Sequence, residues 1–319
     1  DIQGYIALTS RGLYTEAVKL MKETNPLPMA CGRVCARPCE SACRRNFVDG
    51  PVNIKDIKRF TADRDIYSEN MYIPDIKPDT GRKAAVIGSG PAGLSAAFFL
   101  RKKGHLVTIF EKMPEAGGML RYGIPEYRLP KKDLEKEIKC ITNMGVEIIC
   151  ELQLGKDFEI DDLFNDDYNA VFLGVGAQLG SKTNIPGENL KGVMQGVDFL
   201  RQINSGDKIN LKGKVFVIGG GNTAIDAART ALRTGAEEVS IIYRRTENEM
   251  PANKEEVDDA KEEGIKIRIL NAPVEFIGEN GKLKSVKLIK MELSSPDESG
   301  RRSPVPVEGS EYIDNADYV

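Results

Sequence analysis

Two glycine-rich loops, each set between a short apolar strand and a helix, constrain this chain more than any other feature. The first is Gly88-Ser89-Gly90-Pro91-Ala92-Gly93, and the second is Gly219-Gly220-Gly221-Asn222-Thr223-Ala224. Ala84-Ala85-Val86-Ile87 leads into the first loop, a helix over 91–103 follows, and Leu106 to Phe110 reads as the next strand. Val215-Phe216-Val217-Ile218, a helix over 224–234 and a strand from Glu238 to Tyr243 repeat that order. Both are βαβ units, so the expected fold class is α/β. In such a loop the first glycine permits the tight turn, the second lets a pyrophosphate approach the backbone, and the third lets helix and strand pack closely. Gly88, Gly90 and Gly93 take those parts in the first loop. Gly219, Gly221 and Ala224 take them in the second, alanine being tolerated in third place. The helix N-terminus offers free N–H groups to the phosphates, and Pro91 suits a first helical turn. Two such loops mean two dinucleotides, one of which can be a flavin and the other a nicotinamide.

The two units differ where their second strands end. Glu111 stands eighteen residues after Gly93, where a carboxylate can accept hydrogen bonds from ribose hydroxyls. The alternative is a turn with a surface glutamate. The second unit ends on Tyr243-Arg244-Arg245 instead. A glutamate would repel a ribose 2′-phosphate, whereas guanidinium groups bind it through charge-assisted hydrogen bonds. Each such bond contributes roughly 1.5–3 kcal/mol, which favours NADPH, with NADH as the alternative. Against this, the arginines could pair with Glu247, Glu249 or Glu255.

Ahead of both loops lies Cys-x3-Cys-x3-Cys-x3-Cys, made of Cys31, Cys35, Cys39 and Cys43. An unbroken helix would drift about 40° per step of four residues, and Gly32 and Pro38 argue against one. Four thiolates on short turns suit an iron–sulfur cluster. Zinc and buried or disulfide-bonded cysteines remain alternatives, since spacings of three differ from zinc ribbons and from bacterial ferredoxins. Cys140 on an amphipathic helix and Cys150 after a strand read as core residues. The one histidine, His105, has no catalytic partner in sequence.

The bulk numbers exclude some classes. A net charge of −3 makes no electrostatic case for nucleic acid. The longest apolar stretch, Ala84 to Leu100, is broken by three glycines and a proline and does not read as a membrane span. No stretch reads as a signal peptide. Six cysteines, four of them clustered, fit a reducing compartment with metal, so the expected location is cytoplasmic.

The rest of the chain falls into place around these motifs. Ile6, Leu8, Leu13, Ala17, Leu20 and Met21 predict a helix that Asn25-Pro26 and Pro28 end. A short helix is expected near Ile54 to Ala62, and 75–81 reads as a linker. After the first βαβ unit come a helix from Lys131 to Met144 and strands Val146 to Ile149 and Ala170 to Leu173. After the second come a helix near Asn253 to Glu263 and strands near Lys266 to Leu270, Val274 to Ile277 and Leu283 to Lys290, with Asn280-Gly281 as a hairpin turn. Asp297 to Gly309 reads as a loop. Tyr318-Val319 reads as the first step of a further strand.

Taken together, these residues resemble a family that comprises the small (β) subunit of bacterial glutamate synthase, the N-terminal half of dihydropyrimidine dehydrogenase, and related flavin subunits of NAD(P)H-linked electron-bifurcating complexes. The matching stretches are Cys31-Gly32-Arg33-Val34-Cys35 with Cys39-Glu40 and Cys43, the first loop, and Gly117-Gly118-Met119-Leu120-Arg121-Tyr122-Gly123-Ile124-Pro125. Tyr127-Arg128-Leu129-Pro130, the second loop through Asp226, and Tyr243-Arg244-Arg245 with Met250-Pro251-Ala252 complete the set. The resemblance implies a helical iron–sulfur domain over 1–80, an FAD-binding domain over 81–195, an NAD(P)H-binding domain inserted over 196–310, and a return to the FAD domain from 311–319. It implies FAD on Gly88, Ser89, Gly90, Pro91, Ala92 and Gly93, on Glu111 and Lys112, on Gly117, Gly118 and Met119, on Arg128 and near Leu154. It implies NADPH on Gly219, Gly221, Asn222, Thr223, Ala224, Arg244 and Arg245, and a [4Fe-4S] cluster on Cys31, Cys35, Cys39 and Cys43.

Three departures from the family pattern stand out. The family's upstream cysteine group, which interleaves with this one to bind two clusters, is not in this sequence. Neither is its last FAD segment, so the chain is expected to be truncated at both ends. The two inner cysteines lie closer together than in glutamate synthase, and Lys58 stands where dihydropyrimidine dehydrogenase uses a glutamine ligand. The reading that follows is an electron-input flavoprotein: hydride from NADPH to FAD, then single electrons through iron–sulfur clusters. The acceptor would be a catalytic or electron-accepting partner subunit, of the glutamate synthase large-subunit type or in a ferredoxin or bifurcating complex. The rival reading is a dinucleotide-binding structural subunit without turnover.

Overall fold

Apolar five-residue strands between glycines set the frame of the molecule. A computed structural model of the chain describes residues 1–295 and 302–319. It divides into two compact units, Asp1–Ala177 and Gln178–Val319.

The first unit opens with helices α1 (Ile2–Ser10), α2 (Tyr14–Met21), α3 (Pro28–Val34), α4 (Pro38–Ser41) and α5 (Ile54–Ile66). The single helix read over residues 6–21 is in fact two. Gly12 breaks it at φ +75°, a left-handed turn that side-chain-bearing residues rarely adopt. α5 runs four residues beyond Ala62, and the predicted break in the cysteine segment falls between α3 and α4, at Arg37 with φ +57°. Strands β1 (Lys83–Ile87), β2 (Leu106–Phe110), β3 (Val146–Ile149) and β4 (Ala170–Leu173) form a parallel sheet in the order β3-β2-β1-β4. α6 (Pro91–Lys102) crosses from β1 to β2, and α7 (Met119–Tyr122), α8 (Lys131–Asn143) and α9 (Ile160–Asn165) follow. α9 lies outside the expectations above. A reciprocal capping pair between Glu159 and Asp162 starts it.

One core joins the helical segment to this sheet. Met29 and Ala30 of α3 and Ala62 of α5 pack in the same buried cluster as Val86, Phe98 and Ile141. The helix that carries Cys31, α3, therefore shares its apolar contacts with the first glycine-loop unit.

The second unit holds α10 (Gly196–Asn204), β5 (Lys214–Ile218), α11 (Asn222–Arg233), β6 (Glu238–Tyr243), α12 (Lys254–Glu262) and β7 (Lys266–Ile269). β5, β6 and β7 pair in parallel in that order. Then come β8 (Asn271–Glu279), β9 (Lys282–Leu293), β10 (Pro304–Pro306) and β11 (Tyr312–Asn315), all antiparallel on β9. Asn280 at φ +52° and Gly281 at φ +76° make the predicted hairpin turn. The expected loop over 297–309 is corrected in part. Its portion 297–301 lies outside the described residues, and Pro304–Pro306 pairs with β9, as prolines can on a sheet edge. Tyr318 bridges Val215 in parallel, and its carbonyl accepts the Phe216 N–H at 3.0 Å.

Candidate functional site

The first loop shows which glycines the protein itself requires. Gly88 sits at φ +97°, and a Cβ there would lie 2.5 Å from the Gly174 carbonyl oxygen. A Cβ on Gly93 would lie 1.8 Å from the Gly88 carbonyl oxygen, so helix and strand meet only across a glycine. Gly90 is different. Its φ of −69° suits any residue, and the nearest atom to an added Cβ is Gly118 Cα at 3.9 Å. A Cβ would therefore fill space that no protein atom claims, in front of the exposed Pro91 and Ala92 at the start of α6. That is the room a pyrophosphate needs. Residues 117–119 flank it, with Gly118 so close that its own Cβ would lie 2.6 Å from Gly90 Cα.

Glu111 does more than its place at the end of β2 predicts. It is 2% exposed. Its Oε2 accepts from Ser89 N–H at 2.8 Å and Ser89 Oγ at 2.5 Å, and its Oε1 accepts from Met113 N–H at 2.8 Å. Ser89 Oγ in turn accepts from the Gly117 N–H at 3.1 Å. One carboxylate thus ties together the glycine loop and the segments that follow β2. Lys112 is exposed, while Arg128 and Leu154 are half-buried in the same unit.

The second loop follows the same logic. Gly219 has φ +136°, and a Cβ on Gly220 would lie 2.6 Å from the Tyr243 ring. Gly221, at φ −91°, again has room, with Pro251 Cγ at 3.9 Å as the nearest atom. Asn222 and Thr223 are exposed at the start of α11, followed by the buried Ala224. The Asn222 side-chain oxygen accepts the Asn253 N–H at 2.9 Å. Gly219, Gly221 and Thr223 border a cavity of about 460 Å³ that also touches Met194, Gln195 and Val319.

Arg244 is exposed and Arg245 half-buried at the end of β6. Glu247 pairs with Lys261 at 2.5 Å, and Glu249 accepts from the Thr246 hydroxyl and, at 3.1 Å, from its N–H. Those two acids are engaged elsewhere. The Nε of Arg245 is buried and has no hydrogen-bond partner among the described residues. A buried donor left open beside a nucleotide loop fits an anionic ligand group.

The four clustered cysteines lie on successive turns. Cys31 is within α3, Cys35 caps it, Cys39 is within α4, and Cys43 precedes a short 3-10 turn. All are half-buried and free. The Cys35 N–H donates to the Cys31 carbonyl at 3.2 Å. Burial pushes the Cys31 thiol up, against the pull of the Lys58 ammonium, which lies 3.7 Å from the sulfur. The backbone N–H groups of Val52 and Arg45 hold the Cys43 thiol below its ordinary range. Among the described residues, no three Cys, His, Asp or Glu side chains stand together as ligands for a single metal ion. Cys140 is 1% exposed with Lys22 Nζ at 3.1 Å, and burial raises its thiol and that of Cys150. Neither has the lowered pKa of a reactive cysteine.

Sequence periodicity gave no hint of the polar contacts that seat the cysteine segment. Glu137 on α8, 1% exposed, accepts from Met29 N–H at 2.7 Å and Ala30 N–H at 3.0 Å in the first turn of α3. Arg33 on the same helix binds Asp63 at 2.7 Å and Asp133 at 2.9 Å. Tyr5 on α1, 4% exposed, packs with Ala17, Met21 and Ile54 in a cluster that Cys39 also lines. Its hydroxyl has no hydrogen-bond partner among the described residues. That orphan, in the cluster that Cys39 lines, fits a group with acceptor sulfurs in the cysteine segment.

Residues 82–298 match the pyridine nucleotide-disulphide oxidoreductase family, and residues 1–70 match the 4Fe-4S domain described as dihydropyrimidine dehydrogenase domain II. The chain is 42% identical over its whole length to the NADPH-Fe(3+) oxidoreductase subunit beta of Geobacter sulfurreducens, of which it spans 48%. It is 38% identical to the glutamate synthase [NADPH] small chain of Escherichia coli, covering 100% of this chain and 70% of that one. It therefore spans about half the length of the first of these relatives. Among solved structures, Mycobacterium tuberculosis FprA in complex with NADPH shares the fold, with a TM-score of 0.65 and 23% identity over 76% of this chain and 70% of that one. Among the described residues, no helix is long and apolar enough to cross a membrane.

Proposed function

The chain belongs to the pyridine nucleotide-disulphide oxidoreductase family, and on that premise we propose that it is the electron-input part of a larger oxidoreductase, taking hydride from NADPH and delivering single electrons to a partner subunit. The observation that most supports this is the pair of middle glycines. Gly90 and Gly221 alone in their loops have allowed φ and free space in front of them, so their lack of a side chain serves a ligand and not the fold.

When bound, FAD supplies the hydride acceptor and the switch from electron pairs to single electrons, and an iron–sulfur cluster carries those electrons onward. The chain's own residues bind and orient. Residues 88–93 and the α6 N-terminus receive the FAD pyrophosphate, Glu111 fixes that loop and accepts from the ribose, and residues 117–119 with Lys112, Arg128 and Leu154 flank the cofactor. Residues 221–224 receive the NADPH pyrophosphate, and Arg244 and Arg245 take its 2′-phosphate. Cys31, Cys35, Cys39 and Cys43 supply thiolates to a [4Fe-4S] cluster. No side chain is needed as an acid or base.

Two relatives are a subunit beta and a small chain, which supports a partner subunit. Its proposed chemistry is that of a glutamate synthase large subunit, a ferredoxin or a bifurcating complex. Six free cysteines support a reducing compartment, the cytoplasm.

Anaerobically prepared protein tests the reading. Flavin absorption bands that bleach on NADPH addition, with iron and acid-labile sulfide in the sample, are the expected result. A colourless protein that binds nucleotide without bleaching would leave the structural-subunit reading in its place.

A further inference from the structure

Tyr5 carries a polar atom that its surroundings do not use. The side chain is 4% exposed, and its hydroxyl lacks a partner among the described residues. Buried hydroxyls are nearly always satisfied. Phenylalanine would fill the same space among Ala17, Met21 and Ile54 without burying a polar atom, so packing alone does not explain the hydroxyl.

The apolar cluster that encloses it reaches the cysteine segment. Cys39 packs on the same cluster of side chains. A phenol keeps its proton at neutral pH, so the group is a donor. Donors already reach other sulfurs of the segment, with Lys58 Nζ 3.7 Å from Cys31 and the Arg37 N–H 3.4 Å from Cys35. Tyr5 is thus a neutral donor enclosed in apolar surroundings, where a hydrogen bond to sulfur is electrostatically stronger than in water.

We propose that the Tyr5 hydroxyl donates a hydrogen bond to a sulfur of the iron–sulfur cluster held by this cysteine segment and raises its reduction potential. This rests on the reading of the segment as a cluster site. The physical cause is simple. Reduction adds negative charge to the cluster, a donor at its sulfur stabilises the reduced form more than the oxidised one, and hydrogen bonds to sulfur are among the levers that set such potentials. Tyr5 acts as a tuning residue through the cluster.

The experiment is a redox titration followed by electron paramagnetic resonance, on anaerobically prepared holoprotein and its Tyr5→Phe variant. The expected result is full iron and sulfide content, with the variant's potential more negative by up to about tenfold in the reduction equilibrium, which is about 59 mV for a one-electron couple. An unchanged potential at full cluster content overturns the proposal. A second measurement covers a variant that loses its cluster. Wild-type protein grown with 3-fluorotyrosine, whose phenol is the stronger donor, is expected to shift in the positive direction, and an unmoved potential there overturns the proposal as well. Wild-type protein without iron and sulfide would overturn both this inference and the function it rests on. An unmoved potential in cluster-bearing protein overturns this inference alone.

Discussion

Ser89 and Glu111 hold each other in place at the tip of the first βαβ unit. The Ser89 N–H and hydroxyl both reach Glu111 Oε2, at 2.8 and 2.5 Å, and neither residue is more than 2% exposed. A carboxylate offers about four lone-pair sites. Ser89 and Met113 take three of them in this structure. What remains suits one ribose hydroxyl.

Glu111→Ala would leave the buried Ser89 N–H and the half-buried Met113 N–H without their acceptor, at roughly 1–3 kcal/mol for the buried one, and remove the ribose acceptor. The loop should lose its shape and the protein its flavin. The FAD-to-protein ratio after purification is expected to fall several-fold, with nucleotide binding to the second unit unaffected. Wild-type flavin occupancy in the variant would show that Glu111 has no part in holding FAD.

Two glycines three residues apart should behave in opposite ways. Gly93→Ala places a Cβ 1.8 Å from the Gly88 carbonyl oxygen, and overpacking of that kind costs about 1–3 kcal/mol or more. Gly90→Ala meets nothing closer than 3.9 Å. The Gly93 variant should melt several degrees lower even without flavin. The Gly90 variant should melt normally and bind FAD at least tenfold more weakly. Equal flavin affinity in Gly90→Ala and wild type would mean that the pyrophosphate lies elsewhere.

This contrast marks how far the sequence could be read. The glycine spacing named both loops, and strands β2, β3, β4 and β6 begin and end at the residues read from the sequence. It could not tell a glycine kept for the fold from one kept for a ligand, because that depends on what an added Cβ would meet. It missed the break at Gly12, because the apolar spacing continues across it. It missed α10, whose apolar positions face a core built from residues far along the chain. The contact of Glu137 with Met29 joins residues 108 positions apart, and no local pattern records such a pair.

Arg244 and Arg245 should set the choice between the two nicotinamide nucleotides. Arg245 has a buried Nε without a hydrogen-bond partner among the described residues, and Glu247 and Glu249 are already engaged with Lys261 and Thr246. Replacing both arginines with alanine should raise KM for NADPH about tenfold to a hundredfold, at about 1.5–3 kcal/mol per charge-assisted bond, and leave KM for NADH nearly unchanged. Steady-state assays with both nucleotides check this. Equal losses for the two would assign the arginines to general folding and not to a 2′-phosphate.

Glu137 should make the seating of the cysteine segment depend on pH. Burial pushes its carboxyl up from 4.5 to about 7, even though the N–H groups of Ala30 and Met29 and the charges of Lys22 and Arg33 pull the other way. Between those two values the folded protein binds this proton and the unfolded chain has released it. By linkage, stability then falls as pH rises through the window and levels off above about 7. The full span is about 3 kcal/mol at most, from 1.36 kcal/mol per pKa unit. Glu137→Gln cannot titrate, so the stability of wild type relative to the variant should be greatest near pH 5 and decline steadily towards pH 7. Above pH 7 the wild-type carboxylate still accepts both N–H groups of α3, whereas glutamine offers one acceptor oxygen and turns its amide N–H toward the second donor. Urea midpoints measured at pH 5, 6, 7 and 8 on both proteins test this. Parallel pH profiles would show that the carboxyl titrates at its ordinary value, held there by the two backbone donors of α3 in spite of its burial.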